Sequence, residues 1–350
     1  MRLATRSLLR TSLLVASTTL LSSTALAEAP QSLSNPHPWV CRQPAGTVGT
    51  VGEIALAPDS DPVGITVGPD LKVWFTMAAG NKIGRLTRNG QLTEFPLPTA
   101  GASPQQMTSA LDGNLWFTEL STDAIGRITP SGVITEFPLP QSGSAPFGIT
   151  AGLDGNVWFT EVNGNRIGRI TPDGVITEFP LPTALAQPRA ISLGVDGNIW
   201  FAEQRANKIG RITPDGVVTE FDIPTASSAP SAITPGLDGA MWFTEQRGNK
   251  IGRITPDGVV TEFAIPTAAS TPAAISVGPD GHLWFVEQAG NKIGTLTYSG
   301  TFSEFAIPTA ASRAAGITFG PAGFFCLDGN VWFTERAGNK VGKLRAVTMP

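Results

Sequence analysis

An all-β chain assembled from seven copies of one four-stranded unit is what this sequence predicts, on three observations. The pair Trp-Phe recurs at Trp74, Trp116, Trp158, Trp200, Trp242, Trp284 and Trp332, with five spacings of 42 residues and a last one of 48. Short runs rich in Val, Ile, Thr, Phe and Trp alternate with turn residues, and no helical periodicity competes with them. The 39 Gly and 29 Pro fall at fixed places inside the repeat, so they punctuate structure and do not signal a disordered chain. A unit of this length suits a four-stranded blade, which makes the expected architecture a seven-bladed β-propeller.

The unit at 147–182, "FGITAGLDGNVWFTEVNGNRIGRITPDGVITEFPLP", shows the elements in order. A first strand centred on Ile149 ends before the tight turn Asp154-Gly155. A second, Asn156 to Glu161, places Val157, Phe159 and Glu161 on one face and Trp158 and Thr160 on the other. "NGN" then turns the chain into a third strand, Arg166 to Thr171. "TPDG" closes the next hairpin, with Pro172 at the first turning position and Gly174 able to take the positive φ that follows. The fourth strand, "VITEF", stops at the prolines of "PLP", which cannot donate to a ladder.

After Trp332 there is room only for a second and a third strand. The fourth is expected at the other end of the chain, where "VGEIALAP" at 51–58 resembles the "VITEFPLP" segments. This permutation closes a ring and removes two exposed end faces; an open solenoid has no use for it. The propeller is thus expected over 51–346, with a tail at 347–350. The six-residue insertion in the last unit lies in a turn on the face holding the "PDG" loops, where the chain before Val51 should also lie. A disulfide between Cys41 and Cys326 is the expectation, fastening the seam.

Residues 1–27 carry Arg2, Arg6 and Arg10 ahead of an apolar, small-residue run ending Ala25-Leu26-Ala27, the pattern of a cleaved signal peptide. Export to the periplasm or medium is therefore expected, with 28–50 as a Pro-rich lead-in and no later segment able to span a bilayer. The formal net charge is −4, and more negative once those arginines are removed, which argues against a nucleic-acid partner and against a polybasic membrane patch.

The loops from second to third strand, and from fourth strand to the next unit, share one face, here called upper. Glu119, Glu161, Glu203, Glu245, Glu287 and Glu335 end second strands there, with Met77 breaking the pattern. Such carboxylates could ring an acidic mouth that attracts a cation, or they could pair with neighbouring strands, with Arg85, Arg127, Arg169, Arg211 and Arg253 as candidate partners. Whatever is identical in six units is first a folding device, so the informative positions are the variable ones. Fourteen residues before each Glu stand Gln105, Phe147, Arg189, Ser231 and Ala273, with Val63 and Ala315 completing the set. Arg189, beside Glu203, could hold a carboxylate; Phe147 could stack on a ring; Gln105 and Gln106 could supply hydrogen bonds. These are the candidate ligand-binding residues. His37 and His282, the only histidines, lie in the lead-in and in a lower-face turn, away from the mouth and outside any metal-ligand spacing.

The repeated "LWFTE…NKIGRITPDG…ITEFPLP" resembles the virginiamycin B lyase (streptogramin B lyase) family over about residues 52–346. The resemblance implies a monomeric seven-bladed protein that opens a cyclic depsipeptide by magnesium-assisted elimination at an ester. It further implies a metal held near Glu335 and proton transfer by histidines at first-strand starts. In this chain Ala273 and Ala315 occupy those histidine places, and Arg313 stands where the family has an acid. Alanine transfers no proton and arginine repels magnesium. The expected function is accordingly an exported binding or scaffold module acting through its upper face on a small molecule, peptide or cell-envelope ligand. The alternative is a lyase of this kind with a divergent centre, in which Glu245 or Glu287 is the base and Glu335 binds the metal.

Overall fold

A computed structural model describes residues 48–278, 280–320 and 329–346. The expected signal peptide, nearly all of the expected lead-in, both cysteines, His37 and residues 347–350 lie outside the described residues, and so does the expected Cys41–Cys326 pair.

Seven four-stranded antiparallel sheets make up the chain, and none of the described residues is helical. Blade three shows the pattern: Pro146–Ala151, Val157–Glu161, Arg166–Ile170 and Ile176–Pro180, each paired to the next in sequence. Its last hairpin turns as the sequence dictates. Gly174 has a φ of 89°, and its amide donates to the Thr171 carbonyl at 2.9 Å. The first strands of consecutive blades neighbour one another all the way round, with Pro62–Val67 packed against both Pro104–Ser109 and Ala314–Phe319. This is a closed, seven-bladed propeller.

The ring shuts as expected. Val51–Ala55 pairs antiparallel with Lys340–Arg345, from Val51 opposite Leu344 to Ala55 opposite Lys340. Glu53 sits opposite Gly342, the relation that Glu178 has to Gly168 in blade three. It also reproduces a bond made in four other blades, accepting from the amide and hydroxyl of Thr309 at 3.0 and 2.9 Å, as Glu220 does from Thr183. The early strand therefore occupies a fourth-strand place in chemistry as well as in register.

The core lies between blades. All seven Trp of the repeat are buried, and each of six stacks on the Phe of its own fourth strand, Trp158 on Phe179 at 5.5 Å between ring centres. The indole N–H of Trp158 donates to Asp154, so the "DG" turn residue also satisfies a buried donor. Phe159 packs against Gly168, where an added Cβ would come within 2.1 Å of the ring. Glycine is thus needed for close approach in the third strand.

Arg169 and its counterparts do not pair with the upper-face carboxylates, which corrects the sequence expectation. Arg169 stands opposite Trp158, three residues down the ladder from Glu161, with its guanidinium 5.3 Å from the Trp158 ring. Its Nη1 donates to the Pro214 carbonyl of the next blade at 3.0 Å. Arg85, Arg127 and Arg211 do the same with Pro130, Pro172 and Pro256, and Arg253 instead binds Asp238.

Candidate functional site

Each first strand carries an irregularity just where its variable residue stands. In blade four the ladder jumps from Pro188 opposite Glu203 to Ile191 opposite Phe201, leaving Arg189 and Ala190 out of register. All seven blades share this feature, which re-aims side chains away from the sheet. A threonine on the second strand fixes it. Thr160 accepts from the Gly148 amide at 2.8 Å and donates to the Arg189 carbonyl of the next blade at 2.7 Å. Thr118 does this for Phe147 and Thr334 for Val63, whereas Ala202 and Val286 bring no hydroxyl.

The seven irregular positions surround a cavity of about 340 Å³ at the centre of the ring. Val63, Phe147, Arg189, Ser231, Ala273 and Ala315 line it, joined by Gln106, whereas Gln105 turns aside to bond Ser103. The remaining polar lining is Gln246, Gln288, Arg313 and Arg336. Sequence reasoning passed over Gln246, Gln288 and Arg336, although the signal it used elsewhere would have found them. The position after each second-strand Glu reads Leu120, Val162, Gln204, Gln246, Gln288 and Arg336, after Ala78 in blade one, and it varies while the Trp-Phe pair before it does not.

Arg189 lines this central cavity and two further hollows beside it, one bordered by Gln105, Leu120 and Val162, the other by Gln204, Arg205 and Arg247. Its guanidinium lies 4.2 Å over the Phe147 ring and donates through Nη1 to Gln204 Oε1 at 3.3 Å. Nε is buried with no acceptor. Burial, with the positive charge of Arg336 added to it, lowers the Arg189 pKa. Arg336 grips Asp61 through Nε and Nη2 at 2.7 and 2.6 Å.

The six second-strand carboxylates are elsewhere. Glu119, Glu161, Glu203, Glu245, Glu287 and Glu335 are fully buried, and none lines the central cavity. Arg189 and Glu203, adjacent in the sequence reading, form no ion pair. Glu161 accepts from Arg166 Nη1 at 3.2 Å and Glu119 from Thr122 at 2.9 Å, but neither oxygen of Glu203, Glu245, Glu287 or Glu335 has a hydrogen-bond partner. Burial raises the pKa of Glu203 to about 8 and those of Glu245, Glu287 and Glu335 to about 7, with the facing carboxylates Glu220, Glu262, Glu304 and Glu53 pushing the same way. The opposing lysines turn to those outer carboxylates instead, Lys250 to Glu262 at 2.7 Å and Lys340 to Glu53 at 2.6 Å.

Magnesium, which the resemblance implies, does not fit these residues. It favours hard oxygen ligands with one or two ionised carboxylates among them, and no group of three His, Cys, Asp or Glu able to hold a metal exists among the described residues. Glu335 is buried and hard to ionise, Glu53 is committed to Lys340 and Thr309, and the cavity side offers Ala273, Ala315 and Arg313.

The virginiamycin B lyase family model matches residues 42–194 and 182–348. The chain belongs to this family. A solved streptogramin B lyase is 44% identical with a TM-score of 0.80, the match covering 84% of this chain and 97% of that one. A catalytically inactive His-to-Ala virginiamycin B lyase from Staphylococcus aureus, solved with quinupristin, is 45% identical over 85% of this chain and 99% of its own, also at 0.80. The virginiamycin B lyase of Bordetella pertussis is 45% identical over 47 residues, 13% of this chain and 16% of that protein. Its match is thus confined to about one repeat of this member of the virginiamycin B lyase family. No helix among the described residues is long and apolar enough to cross a membrane.

Proposed function

We propose that this family member is an exported, monomeric propeller that binds a small molecule or short peptide in its central cavity without opening it. One observation carries the reading: among the described residues the cavity is lined by no histidine, carboxylate, lysine, tyrosine or cysteine. Its polar groups are arginines, glutamines and one serine, which hold and orient a ligand but move no proton near neutral pH. In the S. aureus relative, a single histidine-to-alanine change accompanies a catalytically inactive protein solved with quinupristin. Here alanine stands at both places where the resemblance puts a histidine.

The test is to incubate the purified mature chain with quinupristin and magnesium and follow linearisation by mass spectrometry. The expected outcome is an intact ring. Family membership favours a second reading, a lyase with a divergent centre, in which Glu245 or Glu287 accepts the proton and Glu335 meets the metal. Turnover abolished by Glu335→Gln would establish that reading and remove the first.

A further inference from the structure

Arginine is abundant at the mouth and carboxylate is nearly missing from it. Three guanidinium groups line the cavity. One of them, Arg336, is neutralised by Asp61 through the two-pronged Nε and Nη2 edge that suits a carboxylate. Among the described residues the Arg189 guanidinium has no carboxylate partner, its one hydrogen bond goes to a neutral glutamine, and its Nε is buried without an acceptor. Arg313 is exposed, and no side-chain partner for it exists among the described residues. A buried N–H of a charged group left without an acceptor is costly and is normally satisfied by protein, water or ligand.

Around these charges the wall is apolar. Ile65, Ile149, Ile191, Ile275 and Ile317 line it from blades one, three, four, six and seven, with Val63 and Phe147 beside them. The cavity therefore sets arginine side chains against an aliphatic wall, inside a protein whose net charge is negative.

Resting on the binding reading above, we propose that the ligand is a small organic acid, with its carboxylate held between Arg189 and Arg313 and its apolar body against Phe147 and the neighbouring aliphatic wall. Arg189 supplies the edge that Arg336 already spends on Asp61, and Arg313 supplies a second, solvent-reaching donor. The planar fork of arginine matches a carboxylate in two places at once, which a lysine would not. The mutual repulsion of Arg189 and Arg336 is relieved by the incoming negative charge.

The experiment is isothermal titration of the mature chain in low-salt buffer at pH 7 with 3-phenylpropionate, its neutral amide 3-phenylpropionamide, and inorganic phosphate. Saturable one-to-one binding of the acid is expected, with the amide at least tenfold weaker. Phosphate is expected to bind more weakly than the acid, because it leaves the apolar wall uncovered. Arg313→Gln, a change at an exposed side chain that leaves the fold undisturbed, is expected to weaken the acid about tenfold, and Arg189→Lys to weaken it similarly by removing the fork. Phe147→Leu, which also removes the ring under the Arg189 guanidinium, should weaken 3-phenylpropionate more than it weakens acetate titrated alongside. Equal binding of acid and amide, no binding of either, phosphate binding as tightly as the acid, or an indifferent Arg313→Gln would each overturn the proposal. None of these results bears on depsipeptide opening, so failure here leaves the choice between binding and lyase readings to the quinupristin assay.

Discussion

The layer between blades and the rim around the axis are built from the same seven strands and obey opposite rules. Between blades the chemistry repeats: a Trp stacked on a Phe, a Phe packed on a Gly, an outer Glu gripping a Thr of the neighbouring loop. At the rim the backbone repeats but the side chains do not. Val63, Gln106, Phe147, Arg189, Ser231, Ala273 and Ala315 share a cavity and no common chemistry. The difference teaches where to look for function in a repeat protein: closure requires each interface to match the next, while the axis is free to diversify because its residues need match nothing but a ligand.

Variants in the two regions should therefore differ sharply in cost. Trp158→Ala, in the repeated layer, removes a buried ring, its stacking on Phe179 and the donor to Asp154, and is expected to lower unfolding free energy by about 3–5 kcal/mol in a denaturant titration. The buried carboxyls come next. Glu203 has a folded pKa raised to about 8 from 4.5, so the folded state holds a proton that the unfolded state releases. Its contribution is complete below pH 4.5 and is lost as pH rises through 8, so wild-type stability should fall across that window. Glu203→Gln, which keeps the shape and cannot ionise, is expected to flatten the decline by on the order of 2 kcal/mol between pH 5 and pH 8, read from urea midpoints at each pH. A slope unchanged by the substitution would show that Glu203 does not titrate in the fold.

Smaller effects probe the boundary where the layer meets the rim. Thr160→Val keeps the volume but deletes the hydroxyl bonded to the Gly148 amide and the Arg189 carbonyl, and should cost about 1–2 kcal/mol. Because that hydroxyl fixes the backbone of Arg189, the same variant should weaken 3-phenylpropionate. Ser231→Ala, at the rim of blade five where Ala202 already provides no such bond, should change stability by no more than about 0.5 kcal/mol. Equal losses from these two variants would erase the distinction between layer and rim.

The seven-fold architecture was readable because its signals are local and redundant. Seven Trp-Phe pairs, the "PDG" turns and an early segment matching the fourth strand all point to one closed ring, and the pairing of Val51–Ala55 with Lys340–Arg345 bears this out. The site was only partly readable. Variation within the repeat led to Phe147 and Arg189, and both line the cavity. The same reasoning assigned Arg169 and its counterparts to the wrong partners, since strand register decides which residue faces Glu161, and that residue is Arg166. Arg336, Gln246 and Gln288 escaped notice because each follows a conspicuous Glu.

By itself the sequence determined the number of blades, the strands of each and the permuted closure, because periodicity and turn chemistry act over a few residues at a time. Only the tertiary structure decided that six recurrent carboxylates lie buried beneath the upper loops, and that the axis is lined by arginine instead. Whether a side chain at a strand end faces the axis, the next blade or its own loop depends on the ladder irregularity and on how seven sheets converge, and no local pattern of residues encodes that convergence.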